Sequence, residues 1–120
     1  EWIFCKARFK SSWDNRKNIE NRMKKILDLR KTAQPIGIKT GGSTFKNPIG
    51  HKAWKLIDQA GCRGLKIGDA IISDKHCNFI INLKNSSAQQ IEELGKRVKS
   101  KVFETSGIKL NWEIQRVGIK

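Results

Sequence analysis

At 120 residues and a net charge of +14, the chain is long enough for one domain and too short for two. An apolar fraction of 38% with four tryptophans excludes a disordered tail, and no apolar run nears the roughly 18 residues of a membrane span. The excess of basic residues favours polyanionic partners, but the lysines are spread along the chain, so a plain solvated basic surface accounts for them equally well.

In chain order, Trp2 to Phe9 alternates loosely between apolar and polar residues and is expected to form a strand. No secretory signal pattern is visible there, and a start without methionine reads as a piece of something longer. Ser11, Ser12 and Asp14 offer helix-capping side chains. From Lys17 to Lys31, Ile19, Met23, Ile26 and Leu27 recur at helical spacing, and Gln34-Pro35 ends that helix. A loop with Gly37, Gly41, Gly42 and Pro48 comes next, then a short helix from Lys52 to Ala60 closed by Gly61. Ala70 to Ile72 and Phe79 to Ile81 read as strands. Ser87 with Gln90 forms a capping box for a second long helix, with Ile91, Leu94, Val98 and Val102 on one face and Gly107 as its C-cap. Ile108 to Val117 alternates as a final strand. The expected class is α+β, a small mostly antiparallel sheet packed against helices. Cys5, Cys62 and Cys77 form no CxxC pair, which suits free thiols in a reducing cytoplasm better than disulfides or a zinc site.

Three stretches carry candidate chemistry. GGSTFKNP (residues 41–48) reads first as a tight turn. A phosphate cradle is disfavoured because the serine precedes the lysine and Pro48 blocks a helix start, and a nucleophilic Ser43 lacks a recognisable context with His51 or His76. The segment from Gly68 to Phe79 reads as a hairpin with a polar loop, in which a lone His76 is more often structural. Glu113, between Trp112 and Ile114, faces away from the core if Trp112 faces it.

Taken in order, TGGSTFKNP, AWKLIDQAGCRGLKIGDAIISDKHCNFIIN and LNWEIQRVG closely resemble the C-terminal half of the UDP-N-acetylenolpyruvoylglucosamine reductases, and EWIFCKARFK and RKTAQP resemble that family's lead-in. The resemblance implies an enzyme that uses NADPH to reduce bound FAD, and the flavin to reduce the enolpyruvyl group of UDP-N-acetylglucosamine enolpyruvate. The product, UDP-N-acetylmuramate, serves peptidoglycan synthesis in the bacterial cytoplasm. It further implies Ser43 as proton donor and Glu113 as a second catalytic residue beside the substrate carboxylate. Lys31 and Asn47 would hold the uridine nucleotide, with Lys46, Ser73 and His76 as further substrate-binding residues and no metal. Residues 1–15 would end the flavin-binding part and residues 16–120 form the substrate-binding domain. The family's flavin-binding portion and its catalytic arginine lie upstream, so this stretch alone would not turn over. Two positions depart from the family pattern: Gln115 where arginine is frequent, with Arg116 beside it, and Trp54 where glycine is more usual. A monomer without nucleic-acid or membrane partners is expected. The competing readings are a basic nucleic-acid-binding module, which lacks any recognisable motif, and an inactive remnant of the reductase.

Overall fold

The computed structural model describes residues 3–118, so Trp2 of the expected first strand lies outside the described residues. The chain divides into two compact units, residues 1–30 and 31–120.

In the first unit, residues 3–15 form no strand, contrary to expectation, and Ile3, Phe4 and Phe9 are exposed. Alternation alone does not make a strand, because the ladder needs a partner for its backbone groups. Helix α1 (Arg16–Ala33) starts one residue before and ends two residues after the helix expected from Lys17 to Lys31. Its cap is Asn15 instead of the upstream serines: the Asn15 Oδ1 accepts the amide of Asn18 at 2.9 Å. Asp14 receives Arg22 at 2.6 Å, and those hydrogen bonds hold its carboxyl below the usual range, the bond from Asn18 first among them. The expected apolar stripe of Ile19, Met23, Ile26 and Leu27 is helical but exposed.

The second unit holds a four-stranded antiparallel sheet and two helices. The strands are β1 (Thr40–Ser43), β2 (Lys66–Ile67), β3 (Ala70–Ile72) and β4 (Phe79–Asn82), in the order β1-β4-β3-β2. Helix α2 (Ala53–Gln59) precedes β2, and helix α3 (Ala88–Ser106) comes after β4. The capping box of α3 is complete, with Ser87 accepting the Gln90 amide and Gln90 reaching back to Ser87, and Gly107 closes the helix at φ 69°. Leu94, Val98 and Val102 of α3 meet Ile57 of α2 and Ile72 and Ile80 of the sheet in one core with Phe45 and Leu110. Each such fully buried aliphatic side chain contributes about 1.5–3 kcal/mol.

Two expectations change here. The GGS stretch is a strand: β1 pairs with β4 through Thr40 opposite Ile81 and Ser43 opposite Phe79, with a bulge between. Gly42 makes that bulge possible, since its φ of 84° lies where L side chains are strained and a Cβ there would meet nothing within 4 Å. Ile108 to Val117 is not a full strand but an extended segment with a single bridge, Trp112 to Phe45. Lys46 N–H to Asn111 O and Glu113 N–H to Thr44 O, both 2.9 Å, flank that bridge. Beyond them Pro48 has no N–H to continue the ladder.

Candidate functional site

Ser43 closes β1 and is half-buried, and its hydroxyl has no hydrogen-bond partner among the described residues. Its position is set by the anchoring of Thr44 and Phe45, the two residues after it. Asn78 is buried, and its side chain replaces a missing strand partner: Oδ1 accepts the Phe45 amide at 3.0 Å while Nδ2 donates to the Phe45 carbonyl at 2.8 Å. The Asn78 carbonyl also accepts the Thr44 amide at 2.7 Å. One residue therefore fixes the two peptide units after Ser43.

Glu113 reaches the same place through its backbone, donating to the carbonyl of Thr44 at 2.9 Å. The alternation read from the sequence holds: Leu110 is buried, Trp112 and Ile114 are half-buried, and Glu113 is exposed. Trp112 packs on Phe45 with ring centroids 4.9 Å apart. It also lies so close to Gly95 of α3 that a Cβ there would overlap the indole. Arg116 pairs with Glu92 of α3, whereas Gln115 lines a cavity of about 500 Å³ with Thr40, Gly41, Thr44, Ile91 and Ile114. The Glu92 carboxyl is held below its ordinary range by Lys96 first and by Arg116 as well.

The polar loop between β3 and β4 carries His76. The Ser73 Oγ accepts the amides of Lys75 and His76, each at 3.2 Å, so this buried hydroxyl shapes the loop. Arg63 holds the loop from the other side, bonding to the Asp74 carbonyl while its Nε and second amino group reach Asp58 at 2.9 and 3.0 Å. Arg63 in turn depresses the Asp58 carboxyl. The His76 Nδ1 accepts the Asn78 amide at 3.3 Å, which leaves Nε2 as the protonated donor of the neutral ring. Burial, with the Arg63 charge adding to it, pushes the His76 imidazole below the ordinary histidine value. Its ring meets Phe79 edge-on at 4.8 Å, and Phe79 is the cross-strand partner of Ser43.

Asn47 is exposed, and its Oδ1 accepts the amide of Ala53 at the start of α2, 2.9 Å away. The next residue, Trp54, lies 6.2 Å from the His76 ring. Lys46 is exposed, and the Lys31 carbonyl accepts Lys75 Nζ at 2.6 Å, which ties Lys31 to the loop of His76 within the second unit. Lys31 and Lys46 form no ion pair among the described residues. Contacts thus link Ser43, Phe79, His76 and Trp54 in sequence, with Asn47 attached through Ala53 and Ser73 and Lys31 through the loop. Asn78, Arg63 and Gly95 were not singled out from the sequence as functional. Asn78 stands inside the KHCNF motif, which is the one signal that pointed to it.

The family model for the C-terminal domain of UDP-N-acetylenolpyruvoylglucosamine reductase matches residues 34–117. The reductase of Paramagnetospirillum magneticum is 52% identical over 119 residues, covering 99% of this chain and 39% of that protein. That of Rickettsia bellii is 56% identical over 116 residues, covering 97% of this chain and 38% of that protein. The crystal structure of UDP-N-acetylenolpyruvylglucosamine reductase from Thermus caldophilus superimposes with a TM-score of 0.69 at 40% identity, over 88% of this chain and 38% of that one. The chain therefore spans about two fifths of the length of these relatives. With three helices and a four-stranded sheet among its described residues, it belongs to the UDP-N-acetylenolpyruvoylglucosamine reductase family and carries that family's C-terminal domain.

Proposed function

We propose that this chain is the substrate-binding and proton-donating part of a bacterial, cytoplasmic, monomeric reductase that converts UDP-N-acetylglucosamine enolpyruvate to UDP-N-acetylmuramate at the expense of NADPH. The observation that carries the reading is the backbone bond that ties the segment of Glu113 to the residue after Ser43. A half-buried, unengaged hydroxyl lies one residue from the Thr44 carbonyl that fixes the Glu113 amide at 2.9 Å.

FAD does not fit the described residues as its principal holder. Neither α2, which starts after Lys52, nor α3, which starts after Ser87, begins from the glycine-rich turn that receives a dinucleotide pyrophosphate. The flavin would be held by the part of the reductase outside this chain, with residues 1–15 as the end of that part, and would supply the hydride there. The residues of this chain handle the proton and the substrate. Ser43 donates from Oγ to the substrate carbon that becomes basic on reduction, a transfer that is downhill although serine is a weak acid. Glu113 acts beside the substrate carboxylate. Lys31 and Lys46 supply compact positive charge for the diphosphate, and the Asn47 amide, its oxygen already spent on Ala53, offers its NH₂ to the nucleotide. His76 offers Nε2–H, and Ser73 holds the turn that presents it.

The test is NADPH oxidation driven by the enolpyruvyl substrate in the full-length protein, beside Ser43→Ala. The variant should keep its melting temperature and flavin reduction by NADPH but lose substrate reduction by about a hundredfold or more. Reduction at the wild-type rate would remove Ser43 from the chemistry.

A further inference from the structure

Trp54 has no structural employment that accounts for it. It sits in the first turn of α2, 37% exposed, and is absent from the core that Leu56 and Ile57 of the same helix join. Its indole stands 6.2 Å from His76, with the planes inclined at 54°, so the two rings meet at a corner instead of stacking. The Lys55 ammonium rests 5.6 Å from the indole centroid, as a cation does over an aromatic face. His76, one side of the corner, is proposed above to hold the nucleotide, and so is Asn47, whose Oδ1 accepts the amide of Ala53, the residue before Trp54. Ser43 is tied to this corner through the protein itself, by its cross-strand partner Phe79, whose buried ring meets His76 at 4.8 Å. A nucleotide sugar with its reactive end at Ser43 would carry its base towards this corner.

We infer that Trp54 is the stacking platform for the uracil ring of the nucleotide substrate, with the Lys55 ammonium released from the indole face to pair with the diphosphate. The inference rests on the functional reading above and adds to it the residue that recognises the base. Indole is suited to the task because every base presents a π-face, and stacking is gained without hydrogen-bond partners. The Nε2–H of His76, at the edge of the same corner, is the polar group that would turn a general stacking face into one with an orientation.

The experiment measures binding of UDP and of inorganic pyrophosphate to the full-length protein and to its Trp54→Ala, Trp54→Leu and Trp54→Phe variants. Trp54→Ala and Trp54→Leu should bind UDP about tenfold more weakly, with pyrophosphate unchanged, and Trp54→Phe should retain most of the affinity. UDP should also quench tryptophan emission in the wild type, and Trp54→Phe should abolish that quenching. Trp54→Leu keeps apolar bulk on α2, so it reports on stacking even where Trp54→Ala is unstable. UDP affinity unaffected by Trp54→Leu, or UDP and pyrophosphate weakened equally, would overturn the platform while leaving the functional reading intact. No UDP binding to the wild-type protein would overturn both.

Discussion

The indole of Trp112 lies against the backbone of Gly95, closer than any Cβ at that position would allow. A glycine in mid-helix costs about 1 kcal/mol relative to alanine. Here the cost is offset by contact: the helix surface is pared back so that the ring carrying the Glu113 segment can seat between α3 and Phe45. Lys99 lies 5.7 Å from the same ring and covers part of its remaining surface.

Gly95→Ala is therefore expected to destabilise the protein although it improves helix propensity. Overpacking should exceed the gain and leave a net loss of about 1–2 kcal/mol. Thermal melts would show it, together with altered Trp112 emission. A variant as stable as wild type would mean that the indole shifts freely.

Asn78→Ala strips both side-chain bonds from Phe45 and leaves its buried amide and carbonyl without partners. Each orphaned group costs roughly 1–3 kcal/mol, so a loss at the upper end of single-residue effects is expected in denaturant titrations. Asn78→Asp keeps the acceptor for the Phe45 amide but sets an oxygen against the Phe45 carbonyl. It should be nearly as damaging at neutral pH and less so in acid, where a protonated carboxyl donates again.

The His76 imidazole titrates below its ordinary value because burial, and then Arg63, disfavour its charged form. The unfolded chain thus takes up the proton first, and the stability this group contributes is lost as pH falls below about 6.5. Melting temperatures at pH 7.5 and 5.5 should differ more for wild type than for His76→Gln. The carboxyls of Asp58 and Glu92, both depressed by basic neighbours, add a separate loss in the more acidic range near 4 and below.

Of the three cysteines, Cys5 is exposed, and Cys62 and Cys77 are buried. Burial pushes the Cys77 thiol up to about 11 and raises that of Cys62 as well, so neither offers thiolate at neutral pH. An aromatic disulfide reagent should report one rapid thiol in the native protein and all three after denaturation. Fast modification of a second thiol in the native state would contradict this packing.

Elements with their own stop and start chemistry were legible from the sequence. The capping box at Ser87 and the glycine at 107 bound α3 closely, and Ala70 to Ile72 stands as read. What escaped depended on partners. β1 is written with two glycines and forms only because β4 offers an edge, while Trp2 to Phe9 carries a strand-like pattern and has no ladder among the described residues. The same division runs through the candidate site. Ser43, Asn47, His76 and Glu113 stand in contiguous motifs, whereas the work of Asn78 and Arg63 consists of side-chain bonds to distant peptide groups. Spacing along a chain does not encode such bonds.

The double grip of Asn78 has a kinetic side. The amides of Thr44 and Phe45 both end on that residue, one on its carbonyl and one on its side chain. Their exchange with solvent deuterium should be governed by one local opening at Asn78, separate from fraying of β1 at Thr40. The segment behind Ser43 would then have a lifetime of its own, and a ligand that settles against Ser43 should lengthen both exchange times by the same factor.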